Sequence, residues 1–267
     1  MVPDCDAFLR FAIALAQAAG QVIREGAQGR FRAQHKGLRD LITDVDLEAE
    51  RTIVQAIRDR YPDHDVLTEE SPPAGRTSPY RWVVDPLDGT GNFVHRYPCF
   101  STAIALTQDD EPIVGVVYDP IREHTFAAAR GDGATLNGQP LRVSEVDTLL
   151  DAFIGMDWTR DAPSRAQNAR IIARLAPRCS TLRICGSAAL AICYVGAGWW
   201  DAYWHLGLQP WDAAAGALIV REAGGRVTDA SGARWRLEMA QCLASNERLH
   251  DRFCACLRGD EERSGSE

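Results

Sequence analysis

Residues 81–93 read RWVVDPLDGTGNF, an apolar segment that leads into two aspartates and a glycine-rich turn. The apolar run at 82–84 predicts a short buried β-strand. Asp85 and Asp88 follow it, and Pro86 restricts the backbone between them. Two carboxylates this close repel each other unless a cation lies between them. Because Mg²⁺ prefers oxygen ligands and the N–H groups of the turn can approach an anion, the segment indicates metal ions that hold a phosphate.

The same residues allow a simpler interpretation. An Asp-Pro-x-Asp-Gly sequence is a common surface turn at the end of a strand. In the metal interpretation, the backbone carbonyl of Leu87 lies between the two aspartates and supplies a further oxygen ligand. The other acidic segments of the chain decide between the two interpretations.

The composition bounds the class of protein. The 267 residues suffice for one large domain or two smaller ones with a substantial core. Hydrophobic residues make up 46% and charged residues 25%, which is typical of a globular protein. The formal net charge of −8 argues against nucleic-acid binding through a basic surface. Positive charge for a phosphate ligand must then be local, and metal ions supply it.

The chain shows no targeting signal that we recognise. Residues 1–6 are acidic and lack a basic region, so we expect no signal peptide, and no apolar run of about 18 residues predicts a membrane span. The eight cysteines form no Cys-x-x-Cys pair and lie mostly in apolar surroundings, which is typical of reduced core residues. We therefore expect a cytoplasmic protein without a membrane anchor.

The pattern of predicted elements changes near residue 144. Residues 1–143 predict an N-terminal α+β half, with helices over 4–27 and 46–60 and a mostly antiparallel sheet that carries the metal-binding motifs. Residues 144–267 predict alternating strands and helices, which form a C-terminal α/β half that completes the active site.

Acidic residues recur where other predicted elements begin or end. Asp44 and Asp46 open a helix, Glu69 and Glu70 end a short strand, and Asp212 precedes a helix of small residues. Each has a structural alternative, because an aspartate can cap a helix and a strand-end glutamate can be solvated. Neighbouring strand residues face opposite sides, so we expect only one of the two glutamates to reach a shared site.

A short turn in the second half also has two interpretations. Gly186-Ser187-Ala188 lies between a predicted strand and a predicted helix, where backbone amides and a hydroxyl can contact a polar ligand. Capping of the helix by Ser187 explains the same residues equally well.

Four segments in order resemble the inositol monophosphatase family of metal-dependent, lithium-sensitive phosphatases. They are Asp40-Leu-Ile-Thr-x-x-Asp46, Glu69-Glu-Ser71, Trp82 to Phe93, and Trp211-Asp-x-Ala-Ala-Gly216 followed by Glu222-Ala-Gly-Gly225. The resemblance extends from about residue 36 to residue 250. A single motif of this length occurs in unrelated proteins, whereas four in this order and spacing are typical of one family.

The resemblance implies an alternating α-β-α-β-α layered sandwich of the inositol monophosphatase and fructose-1,6-bisphosphatase type. It also implies a homodimer that hydrolyses small phosphate monoesters with two or three Mg²⁺ per site. The implied metal ligands are Glu69, Asp85, the Leu87 carbonyl, Asp88 and Asp212. The implied catalytic residues are Asp46, Glu69 and Thr90, of which Thr90 and Asp46 would orient and deprotonate the attacking water. The implied substrate-binding residues are Asp88, Gly89, Thr90, Gly186, Ser187, Ala188, His205 and Asp212.

The chemistry of these residues agrees with that role. The set contains five carboxylates, and no histidine or cysteine nucleophile is placed among them. This favours direct attack by metal-activated water over a phosphoenzyme intermediate.

His205 stands where the family often carries a glutamate that contacts inositol hydroxyls. A carboxylate accepts two hydroxyl hydrogen bonds, whereas a neutral imidazole accepts one and donates one. We expect inositol monophosphate as the substrate, with histidinol phosphate, fructose bisphosphate and 3′-phosphoadenosine phosphate as alternatives. A solvent-facing histidine without a role is the structural alternative. An alternative of another class is a protein-binding regulatory role in which catalysis is secondary.

Overall fold

A computed structural model describes residues 5–72 and 75–260. Its helices are α1 (Cys5–Gln28), α2 (Asp44–Arg60), α3 (Thr90–Val94), α4 (Ala162–Leu175), α5 (Ala188–Gly196), α6 (Pro210–Glu222) and α7 (His250–Arg258). The two helices predicted in the first half are confirmed as α1 and α2. The prediction that no signal peptide is present rests largely on residues 1–4, which lie outside the described residues.

The first half forms a hairpin and a large sheet. The hairpin consists of β1 (Ala33–Gly37) and β2 (Asp40–Thr43). The sheet strands are β3 (Asp65–Thr68), β4 (Tyr80–Asp88), β5 (Ser101–Gln108), β6 (Glu111–Asp119), β7 (His124–Ala129), β8 (Gly133–Leu136) and β9 (Gln139–Pro140), which lie side by side in this order. Only β3 and β4 pair in parallel, so the predicted mostly antiparallel sheet is confirmed.

The second half forms a mixed five-stranded sheet. Its strands are β10 (Phe153–Met156), β11 (Thr181–Ile184), β12 (Ala202–His205), β13 (Gly225–Thr228) and β14 (Cys242–Asn246), in the order β11-β10-β12-β14-β13. Strand β10 runs parallel to both β11 and β12. The carboxyl ends of these three strands therefore meet at one edge of the sheet.

The two sheets stack with helices between and outside them. On β4, Trp82 and Val84 pack against α1 and α2, whereas Val83 faces the opposite side and packs against α5 and α6. On β12, Tyr203 joins the same central core, and Trp204 packs outward with α4 and α7. The order is helices, sheet, helices, sheet, helices, which confirms the predicted α-β-α-β-α sandwich.

Helix α6 links the two halves of the chain. It follows β12 in the sequence, yet it packs against β4, β5 and β6 of the first sheet as well as β13 and β14 of the second. The division into halves at residues 143 and 144 separates the sheets but not the core between them, and as a division into domains it stays a prediction.

Helix α1 belongs to the outer layer of the sandwich. By length and composition alone it is apolar enough to cross a membrane. Its buried residues, which include Ala12, Ala16 and Ala19, pack against the first sheet and α2. The helix therefore has the one-sided burial of a core helix in a globular protein.

Gly115 allows α6 to approach the first sheet closely. A Cβ atom at Gly115 in β6 would lie 2.7 Å from the carbonyl oxygen of Ala215 in α6. We expect Gly115→Ala to lower the free energy of unfolding by about 1–3 kcal/mol, because the methyl group forces the helix away from the strand. Urea denaturation measures this change.

Gly75→Ala is the matched control, since a Cβ atom there meets nothing within 4 Å. Its free energy of unfolding should stay within about 0.5 kcal/mol of the unchanged protein. If Gly115→Ala were equally harmless, the close contact between β6 and α6 would not exist.

Candidate active site

The predicted site residues meet in a pocket of about 570 Å³ between the two sheets. It lies beyond the ends of β4, β10, β11 and β12, where α/β proteins commonly bind ligands. The predicted residues that line it are Glu69, Asp85, Leu87, Asp88, Gly89, Thr90, Gly186, Ala188, His205 and Asp212. The other two, Asp46 and Ser187, lie behind the lining and contact Thr90 and Asp88.

An irregularity at the end of β4 brings Asp85 and Asp88 to the same pocket. Residues three apart on a regular strand face opposite sides of the sheet. The pairing of β4 with β5 is irregular between these two aspartates, however. Within the turn, the Leu87 N–H donates to Asp85 Oδ1 at 3.1 Å. Both carboxylates are buried and both line the pocket.

Asp88 joins the first half of the chain to the second. The backbone N–H groups of Ala188 and Ala189 donate to its carboxylate, each at 3.1 Å, and the Ser187 hydroxyl donates to Oδ2. Ser101 on β5 donates to the same oxygen at 3.1 Å. Burial raises the pKa of Asp88 to about 6, although these hydrogen bonds favour the charged form. Ser187 holds the N-cap position of α5, but its side chain binds Asp88 instead of capping the helix.

Asp46 and Thr90 form a hydrogen-bonded pair at the edge of the pocket. Thr90 Oγ1 lies 3.0 Å from Asp46 Oδ1 and 3.0 Å from the Leu87 carbonyl oxygen, and it can donate to either. Asp46 Oδ2 accepts the N–H and the hydroxyl of Thr43. Burial raises the pKa of Asp46 above its ordinary value.

The capping residue of α2 differs from the prediction. Thr43 is the N-cap, and Asp46 is the third helical residue, whose side chain binds back to the Thr43 N–H in a capping box. The interpretation of Asp44 or Asp46 as the N-cap is therefore wrong. This arrangement anchors Asp46 by one oxygen and leaves the other for Thr90.

Glu69 and Glu70 share one cation. Lys36 Nζ lies 2.8 Å from Glu69 Oε1 and 2.5 Å from Glu70 Oε1. Strand β3 ends at Thr68, so strict alternation no longer separates the two side chains. Glu69 lines the pocket and Glu70 does not, which agrees with the expectation that only one of the two glutamates reaches the shared site, although both also contact Lys36. Arg160 adds a second cation, with its guanidinium 2.9 Å from Asp40 and 3.8 Å from Glu69.

Asp212 enters the pocket from the first turn of α6. Its Oδ2 accepts the Gln209 N–H at 2.7 Å, and Gln209 is the N-cap, so the interpretation of Asp212 as the cap is wrong. Burial together with the charges of Glu69 and Asp88 raises the pKa of Asp212 to about 8. Burial also raises the pKa of Asp85 well above its ordinary value, and repulsion by neighbouring acids adds to the effect.

Among the described residues, the deepest acids of the pocket form no ion pair with a lysine, arginine or histidine. In the part of the chain that the structure describes, the ion pairs at the pocket involve Asp40, Glu69 and Glu70, and none involves Asp85, Asp88 or Asp212. Buried like charges of this kind favour a divalent cation. Among all the described residues, no three His, Cys, Asp or Glu side chains are already positioned to hold a metal ion. The donor atoms fit a hard cation, but Glu69 is turned toward Lys36.

His205 is buried at the end of β12 and does not face bulk solvent, so the structural alternative of an exposed histidine is wrong. Its Nδ1 accepts the Gly207 N–H at 3.0 Å. Burial lowers its pKa to about 4, so the ring is neutral at physiological pH. His205 lines the pocket, and its role in substrate binding stays a prediction.

Asp157 is a pocket residue that the sequence interpretation missed. It directly follows β10, lines the pocket and is buried. Burial raises its pKa to about 7. A carboxylate at the carboxyl end of a predicted parallel strand was the signal that could have identified it.

Comparison with known proteins gives concordant matches over nearly the whole chain. Residues 4–261 match the model of the inositol monophosphatase family. The chain is 39% identical over 257 residues to inositol monophosphatase 3 of Solanum lycopersicum, covering 94% of this chain and 96% of that protein. It is 42% identical over 248 residues to Nus factor SuhB of Pasteurella multocida, covering 90% and 92%. The solved IMPase of Thermotoga maritima superposes with a TM-score of 0.89 at 36% identity, covering 97% of this chain and 100% of that one.

The layered fold, the acidic pocket and these matches define the class of protein, which is a phosphoric monoester hydrolase. Within that class, the chain belongs to the inositol monophosphatase family. The family assignment made from the sequence motifs is thereby confirmed.

The repulsion among the buried acids predicts a pH-dependent stability. A carboxyl group whose pKa is raised in the folded state stabilises the protein at low pH and loses that contribution as pH rises through the folded pKa. In the metal-free protein with a chelator, we expect Asp85→Asn to increase the free energy of unfolding at about pH 8 by at least about 1 kcal/mol. As pH falls the two proteins should differ less, because the raised pKa of Asp85 lets the folded protein bind a proton there and lose the repelling charge.

Denaturant unfolding across this pH range measures the difference. Asp132→Asn, which removes a charge from an exposed turn, is the control and should show no such trend. A constant difference between Asp85→Asn and the unchanged protein at every pH would show that Asp85 is not held among repelling acids.

Proposed function

We propose that this phosphatase hydrolyses a small polyol phosphate, with inositol monophosphate as the expected substrate, in a reaction that depends on Mg²⁺. The observation that carries the proposal is the convergence of Asp85, Asp88 and Asp212 without a protein cation. The name of the tomato relative, an inositol monophosphatase, supports inositol as the alcohol.

The ligands of the metal follow from the oxygen atoms that face the pocket. Asp85, Asp88 and Asp212 with the Leu87 carbonyl would hold the ions, and Glu69 would join them after release from Lys36. Two or three ions per site are expected from the family. When bound, Mg²⁺ would lower the pKa of a coordinated water and neutralise negative charge on the phosphate and the leaving oxygen.

Thr90 and Asp46 would orient the attacking water and accept its proton. The Thr90 hydroxyl can accept a hydrogen bond from that water while it donates to Asp46. Burial raises the pKa of Asp46, which makes its carboxylate a stronger base. Thr43 holds the second oxygen of Asp46, so the first oxygen stays directed at Thr90.

Neighbouring parts of the pocket would bind different parts of the substrate. Gly89 adopts a φ of 88° at the start of α3, and the amides of Gly89 and Thr90 would contact the phosphate. Next to this turn, Gly186 and Ala188 would line the alcohol together with His205, and Ser187 would support them from behind through its hydrogen bond to Asp88. Histidinol phosphate, fructose bisphosphate and 3′-phosphoadenosine phosphate remain the alternative substrates, because His205 replaces an acid.

A substrate panel tests this proposal. Purified protein should release phosphate from inositol 1-phosphate faster than from histidinol phosphate, fructose 1,6-bisphosphate, adenosine 3′,5′-bisphosphate or glycerol 2-phosphate, and only with Mg²⁺. Asp88→Asn should lower kcat by more than about 100-fold, because it removes a charge from the metal and phosphate site. Lithium should inhibit the reaction.

Asp132→Asn is again the control, since it removes a distant exposed charge and should keep full activity. Thermal unfolding of Asp88→Asn distinguishes lost chemistry from lost fold. Full Mg²⁺-independent activity, or an active Asp88→Asn, would refute the proposed metal mechanism. Preference for another member of the panel would retain the mechanism and change the alcohol.

A second candidate function is regulatory. The 42% identity to a protein named Nus factor SuhB favours a protein-binding role in which catalysis is secondary. If so, Asp85→Ala should bind the Nus proteins of the same cell as tightly as the unchanged protein and rescue a growth defect of the deletion strain. Failure of this inactive variant to rescue, with binding intact, would assign the cellular role to catalysis. A cytoplasmic location and a homodimer complete the proposal, on the basis of the family.

A further inference from the structure

Asp157 holds a turn that lines the pocket beside Gly89. Its Oδ1 accepts the backbone N–H groups of Cys185 at 3.0 Å and Gly186 at 2.6 Å. Its Oδ2 accepts the hydroxyl of Tyr203 at 3.1 Å. Above its pKa of about 7, Asp157 is ionised, and its carboxylate then fixes the two backbone amides more strongly than a neutral acceptor, because charge-assisted hydrogen bonds are stronger.

The turn held by Asp157 is restrained from its other side as well. The side-chain amide of Asn92 donates to the Cys185 carbonyl at 3.0 Å and to the Cys99 carbonyl at 2.6 Å. Gly186 has a φ of +74°, and a Cβ atom there would lie 2.7 Å from the Asn92 amide. Asp157 and Asn92 thus bind the amides and the carbonyl of one peptide segment, which leaves it little freedom.

The position of this turn sets the distance between two functional surfaces. Directly after Gly186, Ser187 and Ala188 bind the Asp88 carboxylate. One end of the 185–188 segment is therefore tied to the carboxylate predicted to bind metal and substrate, and the other end is tied to Asp157.

Asp157 is also next to His205 in the sheet. Strands β10 and β12 pair in parallel with Met156 opposite Trp204, so the two residues that follow this pair are neighbours at the pocket edge. The His205 ring accepts the backbone N–H of Gly207 at 3.0 Å. The ends of the hydrogen-bonded strands β10, β11 and β12 thus form one wall of the pocket, and Asp157 is the carboxylate residue of this wall.

We propose that Asp157 is a positioning residue that determines the alcohol specificity of this phosphatase by fixing the Gly186 turn relative to Asp88. The inference rests on the proposed function of the pocket, in which the 186–188 segment faces the alcohol. A large alcohol such as inositol extends to this wall, whereas a small one such as glycerol depends mainly on its phosphate. Loss of the carboxylate should therefore affect large alcohols selectively.

Steady-state kinetics of Asp157→Asn test the proposal. We expect the KM for inositol 1-phosphate to rise about tenfold with kcat within about twofold, since hydrogen bonds to a charged acceptor are weakened but the reacting atoms are untouched. The kcat/KM for glycerol 2-phosphate should change less than about threefold. Asp157→Ala should show the same selectivity with a larger rise in KM, because no acceptor remains for the two amides.

Tyr203→Phe is the matched control. It removes one donor from the Asp157 carboxylate and leaves both turn amides bound, so the ratio of kcat/KM for the two substrates should stay near that of the unchanged protein. Thermal unfolding in the presence of Mg²⁺ verifies that each variant is folded.

Two outcomes would overturn the role of Asp157. One is an equal loss for inositol 1-phosphate and glycerol 2-phosphate in folded Asp157→Asn, which indicates general support of the pocket. The other is no change for either substrate. Failure of the proposed function is a separate result, because it appears as absence of Mg²⁺-dependent hydrolysis by the unchanged protein. In that case, calorimetry tests the role of Asp157 by measuring the binding of inositol 1-phosphate and of inorganic phosphate. Asp157→Asn should weaken the binding of inositol 1-phosphate and leave the binding of inorganic phosphate unchanged.

Discussion

The hydrogen bonds to the Asp88 carboxylate hold the two halves of the pocket together. Asp88 is the last residue of β4, and its partners Ser187, Ala188 and Ala189 open α5 in the second half. The amides at a helix N-terminus suit a negative charge, so the bond also agrees with the helix dipole. Asn92 adds a second link between the same two halves, because its side-chain amide donates to the Cys185 carbonyl at 3.0 Å.

The electrostatics of the pocket divide its acids into two groups. At the mouth, Lys36 and Arg160 balance Glu69, Glu70 and Asp40. Deeper in the pocket, Asp85, Asp88 and Asp212 face one another with raised pKa values. A fold optimised only for stability would not bury unpaired carboxylates, because desolvation and repulsion both oppose it. Such a local conflict with stability is typical of functional sites.

Sequence interpretation succeeded where a motif is continuous and failed where the neighbours of a residue are distant in the chain. The 82–93 segment predicted a buried strand followed by paired acids, and both are present. The caps of α2 and α6 were misassigned. Thr43 is as suitable a cap as the aspartate three residues later, whereas Gln209 is not a preferred cap residue. In both helices the aspartate binds back to the N–H of the N-cap from the third helical position. The alternation rule agrees with the structure in that Glu69 lines the pocket and Glu70 does not, but it did not predict that both glutamates contact Lys36, which lies more than 30 residues earlier in the chain.

The sequence by itself determined the elements, their layered class and the identity of the family, because periodicity and contiguous motifs are local properties of the chain. It also placed the acidic residues at the ends of elements. Only the tertiary structure decided which oxygen each of these residues presents, that His205 is buried against backbone groups, and that Asp157 belongs to the pocket. Those features depend on the pairing of β10 with β11 and β12 and on α5 docking against Asp88, which bring together residues up to about a hundred positions apart. Such contacts leave no period or spacing in the chain, since hydrogen-bond geometry exists only after the layers have packed.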